Sequence, residues 1–162
     1  MNVSELMIAE VKSCSTHDNL QRAAQIMWEN DCGVVPVLDA DRRVVGMVTD
    51  RDICMAAYTQ GQPLSQIPVT KAMAKQVHGV REAEGVEAAE ALMQRARVRR
   101  VPVLDAEGRL KGILSLNDLA RHVHRSAGRK ANGLSAGSIA QTLGALCEPH
   151  RTSRPMTAAR AH

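Results

Sequence analysis

A glycine, a hydroxyl residue three positions on and an acid three positions beyond that occur together twice. The two copies are Gly46-Met47-Val48-Thr49-Asp50-Arg51-Asp52 and Gly112-Ile113-Leu114-Ser115-Leu116-Asn117-Asp118. In each, an apolar strand-like run ends at the hydroxyl, and the acid falls in the first turn of the helix that follows. One chemistry open to this spacing is helix capping: Thr49 or Ser115 accepts from an orphan backbone donor, and Asp52 or Asp118 answers from the third helical position. The other is ligand binding. A carboxylate can accept hydrogen bonds from both hydroxyls of a ribose, while the hydroxyl and the free amides of a helix N-terminus reach a phosphate. The pattern alone favours neither.

The elements that must position these groups are themselves duplicated. Val35-Pro36-Val37-Leu38-Asp39-Ala40 recurs as Val101-Pro102-Val103-Leu104-Asp105-Ala106, an offset of 66. The same offset, without a gap, pairs Met7 with Met73, Val11 with Val77, Ala23 with Ala89 and Met27 with Met93. A fixed period of this length marks a repeated supersecondary unit, and the cleft between two such units is where function is to be sought.

Each copy reads β-α-β-β-α. A short apolar stretch around Val11 or Val77 comes first. A helix then opens near Asp18-Asn19 or Glu84-Gly85, with Asn19 as N-cap. Leu20, Ala23, Ala24, Met27 and Trp28 give the first helix one apolar face, as Val86, Ala89, Leu92 and Met93 do the second. A hairpin follows, Val34–Leu38 with Val44–Thr49 and Val101–Leu104 with Leu110–Ser115. Its strands are nearly all apolar and are expected to be covered on both faces. Pro36 and Pro102 lack an N–H and belong at an edge or a strand start. The second helix runs from Asp50 to about Gln60 and from Leu116 to about His124. The fold class expected is α+β: two tandem repeats, 1–62 and 63–125, related by a pseudo-two-fold axis, with small mixed sheets and outer helices. Gly61 to Pro68 reads as the link between them. Residues 126–162 form a basic tail, a flexible connector followed by a short docking helix over 138–147 with Ile139, Leu143 and Leu146 at helical spacing.

Composition narrows the function classes. Phe is absent and Trp28 and Tyr58 are the only aromatics, so the core is aliphatic, and a base-stacking platform for single-stranded nucleic acid lacks its rings. Residues 1–120 hold 14 basic and 16 acidic side chains, a balance of −2, whereas 121–162 hold seven and one, a balance of +6. The excess positive charge therefore belongs to the tail rather than to the repeated body. Apolar runs fall short of a membrane span and no basic-then-apolar leader opens the chain, which reads as cytoplasmic. Cys14, Cys32, Cys54 and Cys147 lack CxxC spacing and read as buried free thiols. His122 and His124 diverge on a helix, which argues against a shared metal. No nucleophile–base pair or P-loop is found, so no enzymatic activity and no metal is expected.

With the V-P-V-x-D strands, the Gly-x-x-Thr/Ser-x-x-Asp elements and the preceding Ala-x-x-x-Met helices in view, the chain resembles tandem cystathionine-β-synthase (CBS) domains forming a Bateman module. The likeness covers roughly residues 5–124. From Arg99-Arg100-Val101 to Asp118, the second copy is also similar to the last repeat of the AMP-activated kinase γ subunit. The resemblance implies a regulatory module that binds an adenosine nucleotide (AMP, ADP or ATP, with NAD and S-adenosylmethionine as alternatives) and signals occupancy to a partner protein. Its implied contacts are Thr49 with Asp52 and Ser115 with Asp118. Gly33, Val34 and Val35 would line the cleft, opposite Arg99, Arg100 and Val101. It also implies a disc-like homodimer formed through the helices, for which Ala23, Met27, Met55, Ala56, Ala89 and Met93 would supply apolar faces. Arg99 and Arg100 stand where the first copy has Gly33 and Val34, and paired guanidiniums favour phosphate. Ser115/Asp118 is thus expected to be the better phosphate site, and a solvated basic edge continuing Arg95 and Arg97 is the other reading of the arginines. Two rival functions are a nucleic-acid-associated regulator acting through the basic tail and a structural dimer module without ligand.

Overall fold

The computed structural model describes residues 1–126 and 134–148. The first repeat comprises β1 (Cys14–Ser15), α1 (Leu20–Glu29), β2 (Val34–Leu38), β3 (Val44–Thr49) and α2 (Asp50–Gln60). The second comprises β4 (Val80–Arg81), α3 (Val86–Ala96), β5 (Arg100–Leu104), β6 (Leu110–Ser115) and α4 (Leu116–Arg125), and α5 (Ala136–Cys147) follows. Two three-stranded mixed sheets result, β1-β2-β3 and β4-β5-β6, each with a parallel first pair and an antiparallel hairpin. The fold is α+β, as the repeats dictate.

The short first strands lie three residues beyond the apolar stretches around Val11 and Val77, at Cys14–Ser15 and Val80–Arg81. Pro36 and Pro102 sit inside the central strands rather than at an edge. They are tolerated because each faces a residue whose polar groups turn the other way. Pro36 is opposite Met47 and Pro102 opposite Ile113. Met47 exchanges both backbone hydrogen bonds with Ala74, and Ile113 does so with Ile8, at 2.8–3.0 Å. No ladder bond to the hairpin partner is lost at either proline.

Those last contacts reveal an exchange between the repeats. The opening segment of the chain packs on the second lobe: Val3 is fully buried in its core, and Val3 N–H donates to Glu84 O at 2.9 Å. The equivalent segment of the second repeat packs on the first lobe, where Ile67 and Val69 are fully buried and Val69 N–H donates to Asp18 O. The isolated bridges obey the same symmetry. Met47–Ala74 maps onto Ile113–Ile8 and Asn19–Pro68 onto Gly85–Asn2, while Arg43–Arg109 pairs two residues equivalent to each other and so lies on the pseudo-two-fold axis.

Each lobe has its own aliphatic core. Trp28, expected on the buried face of α1, instead points outward and is 90% exposed, because Ile26 takes the inner position. Of the side chains expected to supply a dimer face, Ala23, Met27, Ala56, Ala89 and Met93 are consumed by these cores, and Met55 alone is exposed. The thiols also divide. Cys14 is buried and burial, reinforced by Asp18, pushes its pKa up to about 11, whereas Cys54 and Cys147 are exposed. The docking helix exists and starts two residues earlier than expected, capped by Ser135. Ile139 and Leu146 pack inward while Leu143 remains exposed. The connector expected to be flexible falls mostly on 127–133, outside the described residues.

Candidate functional site

Both hydroxyl–acid elements form complete capping boxes. Thr49 N–H and Oγ1 donate to Asp52 Oδ2 at 2.9 and 2.7 Å, and Asp52 N–H returns to Thr49 Oγ1 at 3.2 Å. Ser115 and Asp118 repeat this arrangement, with Ser115 N–H donating to Asp118 Oδ2 at 2.8 Å. The capping chemistry read from the sequence is thus realised twice, and it uses one carboxylate oxygen of each acid. The copies differ at the other oxygen. Asp118 is buried and its Oδ1 accepts from the Arg121 guanidinium one turn along α4, while Asp52 is half-buried and its Oδ1 has no protein partner among the described residues.

The residues ahead of each central strand are tied to these elements. Asp50 N–H donates to Gly33 O at 3.3 Å and Leu116 N–H donates to Arg99 O at 2.9 Å, so strand entry and helix start meet in both lobes. Across the seam the lobes touch at the same level. A Cβ built on Gly33 would lie 3.0 Å from Asp50 Oδ2 and 3.9 Å from Arg100 Nη1. The Arg100 guanidinium therefore reaches over to the first repeat.

Beside this contact lies a cleft of about 750 Å³. Arg100 of the second repeat lines it together with Gly33, Asp50 and Ile53, and the rest of its wall is Ala24, Met27 and Trp28 of α1 with Asp31 and Cys32 from the turn that follows. Of the residues expected to contact a ligand, Gly33 and Arg100 line this cleft. Thr49 and Asp52 adjoin it without lining it, one on each side of Asp50. Ser115 and Asp118 belong to the other lobe, and Arg99 is solvent-exposed. Val35 and Val101 are fully buried in the cores and Val34 nearly so, which leaves them only main-chain atoms to offer.

Sequence reasoning missed Asp50, Asp31 and Trp28 as lining residues. Asp50 carried a legible signal, since it directly follows the hydroxyl that closes the strand. Asp31 follows the Asn30 cap of α1 in the left-handed conformation (φ 47°), as its mate Arg97 caps α3 (φ 53°), and nothing in the side-chain pattern marks such a position. Among the described residues no cluster of three or more His, Cys, Asp or Glu could hold a metal.

Two β-α-β-β-α units joined by exchanged arms, with a duplicated hydroxyl–acid element and a cleft at their seam, define a tandem-repeat module. The CBS domain family model matches residues 3–58 and 65–125, and the chain belongs to that family. It is 32% identical over 145 residues to Hypoxic response protein 1 of Mycobacterium tuberculosis, covering 90% of this chain and 93% of the relative. Among solved structures it is similar to a conserved CBS domain protein of unknown function from Thermoplasma acidophilum (TM-score 0.74, 26% identity, 90% of this chain and 75% of that one). It is also similar to Hypoxic Response Protein I with two coordinated zinc ions (TM-score 0.69, 33% identity, 75% and 98%) and to CBSX2 in complex with AMP (TM-score 0.67, 25% identity, 76% and 96%).

Proposed function

We propose that this CBS pair is a regulatory module that binds an adenosine nucleotide at the seam between its repeats and signals occupancy to a partner protein. The observation that carries the reading is the meeting of Gly33, Asp50 and Arg100 across the seam, next to a capping acid whose second oxygen has no partner among the described residues. In this reading Asp52 Oδ1 accepts from the ribose and Arg100 pairs with the phosphate. Gly33, which has no side chain, leaves room for the nucleotide to approach the backbone. A neighbour of the same fold that carries AMP supports the ligand class. A nucleotide bridging both lobes can shift their relative arrangement only by its differential affinity for the two states.

The pairing of Asp118 with Arg121 supports the opposite asymmetry to the one expected from sequence. Asp118 already holds Arg121, which must swing away before its Oδ1 can accept from a ribose, whereas Asp52 needs no such rearrangement. The first-repeat site is accordingly the stronger one in this proposal. Ser115/Asp118 is the second, with Arg121 as its phosphate partner. Homodimerisation through the helices belongs to the same reading, with Met55 and the outward-facing Tyr58 of α2 replacing the buried side chains named from the sequence.

A thermal-shift panel of AMP, ADP, ATP, NAD and S-adenosylmethionine tests the ligand class. A ligand at 100 times its dissociation constant stabilises by about 2.7 kcal/mol. Arg100→Ala is expected to weaken AMP roughly tenfold while leaving adenosine unchanged, because only the charge-assisted phosphate contact is removed. A panel in which nothing stabilises the protein sinks the nucleotide reading in favour of a structural module.

A further inference from the structure

The cleft in the first repeat has a counterpart in the second, and there it is filled. Shifting its lining residues by 66 turns Ala24 into Glu90, Met27 into Met93, Asp31 into Arg97 and Ile53 into Leu119. Helix α5 sits over these equivalents. Thr142, almost fully buried, donates from Oγ1 to Glu90 Oε1 at 3.1 Å, and Arg97 pairs with Glu148 at 2.8 Å just past the end of α5. Met93 and Leu119 belong to the core cluster against which Ile139 and Leu146 pack. The positions correspond closely enough that Asp31 and Arg97 share the same left-handed backbone. The molecule thus shows directly what fills a groove of this shape: one short, largely apolar helix laid across the two helices of a repeat.

We infer that the groove along α1 and α2 of the first repeat is a docking site for an amphipathic helix of a different protein, apolar where α5 carries Thr142 and basic where α5 carries Glu148. The inference goes beyond nucleotide binding and does not rest on it. The chemistry of the occupant follows from the two contacts that anchor α5. Where the second repeat offers the Glu90 carboxylate to a hydroxyl, the first offers the methyl group of Ala24, so an aliphatic side chain fits above it. Where the second repeat offers the Arg97 cation, the first offers the Asp31 carboxylate, so the charge on the docking helix must change sign. A basic residue at a helix C-terminus is also the favourable sign for the helix dipole. The α5 of a second copy is the wrong occupant, since its Glu148 would face Asp31. Asp50 and Arg100 line the same groove. A partner seated there therefore borders the residues that a seam ligand would engage.

Trp28 is the only tryptophan, stands 90% exposed on the rim of the groove and reports its occupancy by fluorescence. Two hydrocarbon-stapled peptides spanning residues 134–148 are titrated into the full chain without nucleotide. One has the native sequence and the other carries Thr142→Leu and Glu148→Lys. The altered peptide is expected to shift Trp28 emission to the blue and to bind roughly tenfold tighter, from aliphatic burial and the sign of the Asp31 pair together. In the Asp31→Arg protein this preference should shrink or invert. Failure of the altered peptide to move Trp28 emission overturns the proposal, as does an unchanged preference in Asp31→Arg. Tighter binding of the native peptide overturns it too, and would assign the groove to α5 of a second copy.

Discussion

Gly112→Val is expected to destabilise the protein by about 3 kcal/mol, because the side chain has no room under the exchanged N-terminal arm. A Cβ at this position would stand 2.6 Å from Met7 Sδ and 2.9 Å from Ile8 O. The thioether could swing aside, but the carbonyl is held by the paired hydrogen bonds between Ile8 and Ile113. The arm must therefore lift, and with it goes the burial of Val3 in the second core. Gly46→Val should act in the same way on the first lobe, where a Cβ would meet Met73 Sδ at 2.5 Å and Ala74 O at 3.1 Å. Gly144→Ala on α5 provides the contrast. Among the described residues nothing beyond its own helix and chain neighbours lies within 4 Å of a Cβ built there, and alanine in a helix interior stabilises by roughly 0.5–1 kcal/mol. Urea unfolding of the three variants checks the order. A Gly112→Val protein as stable as the parent would mean that the arm does not pack on the second lobe.

Asp118→Ala is expected to cost about 2 kcal/mol, and Asp52→Ala roughly half as much. Both remove a capping acid. Asp118, however, is buried, and its loss orphans the Ser115 N–H and releases Arg121 together. Asp52 is half-buried and has no arginine partner among the described residues, so water replaces more of what is lost. The difference should appear in urea midpoints, and in amide exchange at the first turn of α4. Equal costs for the two would contradict the unequal burial of the acids.

How far the chain could be read without coordinates depended on the length of each signal. The hairpins and the helices after them were legible because their apolar runs are continuous and end at capping residues, and Val44–Thr49 and Leu110–Ser115 emerge with the expected limits. The first strands were displaced because two residues carry no periodicity. The exchange of arms was illegible for a different reason. Segments 1–8 and 67–74 are equally suited to either lobe, and only chain geometry decides where each one lands. At the site, the spacing of Thr49 with Asp52 and of Ser115 with Asp118 found the pairs and their capping geometry, but it could not show that Arg121 occupies one acid and leaves the other open. Nor could helical spacing turn Trp28 outward, since Ile26 and Trp28 compete for the inner face by packing alone.

Calorimetric titration of AMP into the parent and Asp52→Ala proteins tests the central claim most directly, with circular dichroism confirming that the variant is folded. The parent should bind, and loss of the open carboxylate should weaken binding by about tenfold or more. An Asp52→Ala protein that takes up AMP with undiminished affinity would contradict the assignment of the nucleotide to the first-repeat side of the seam.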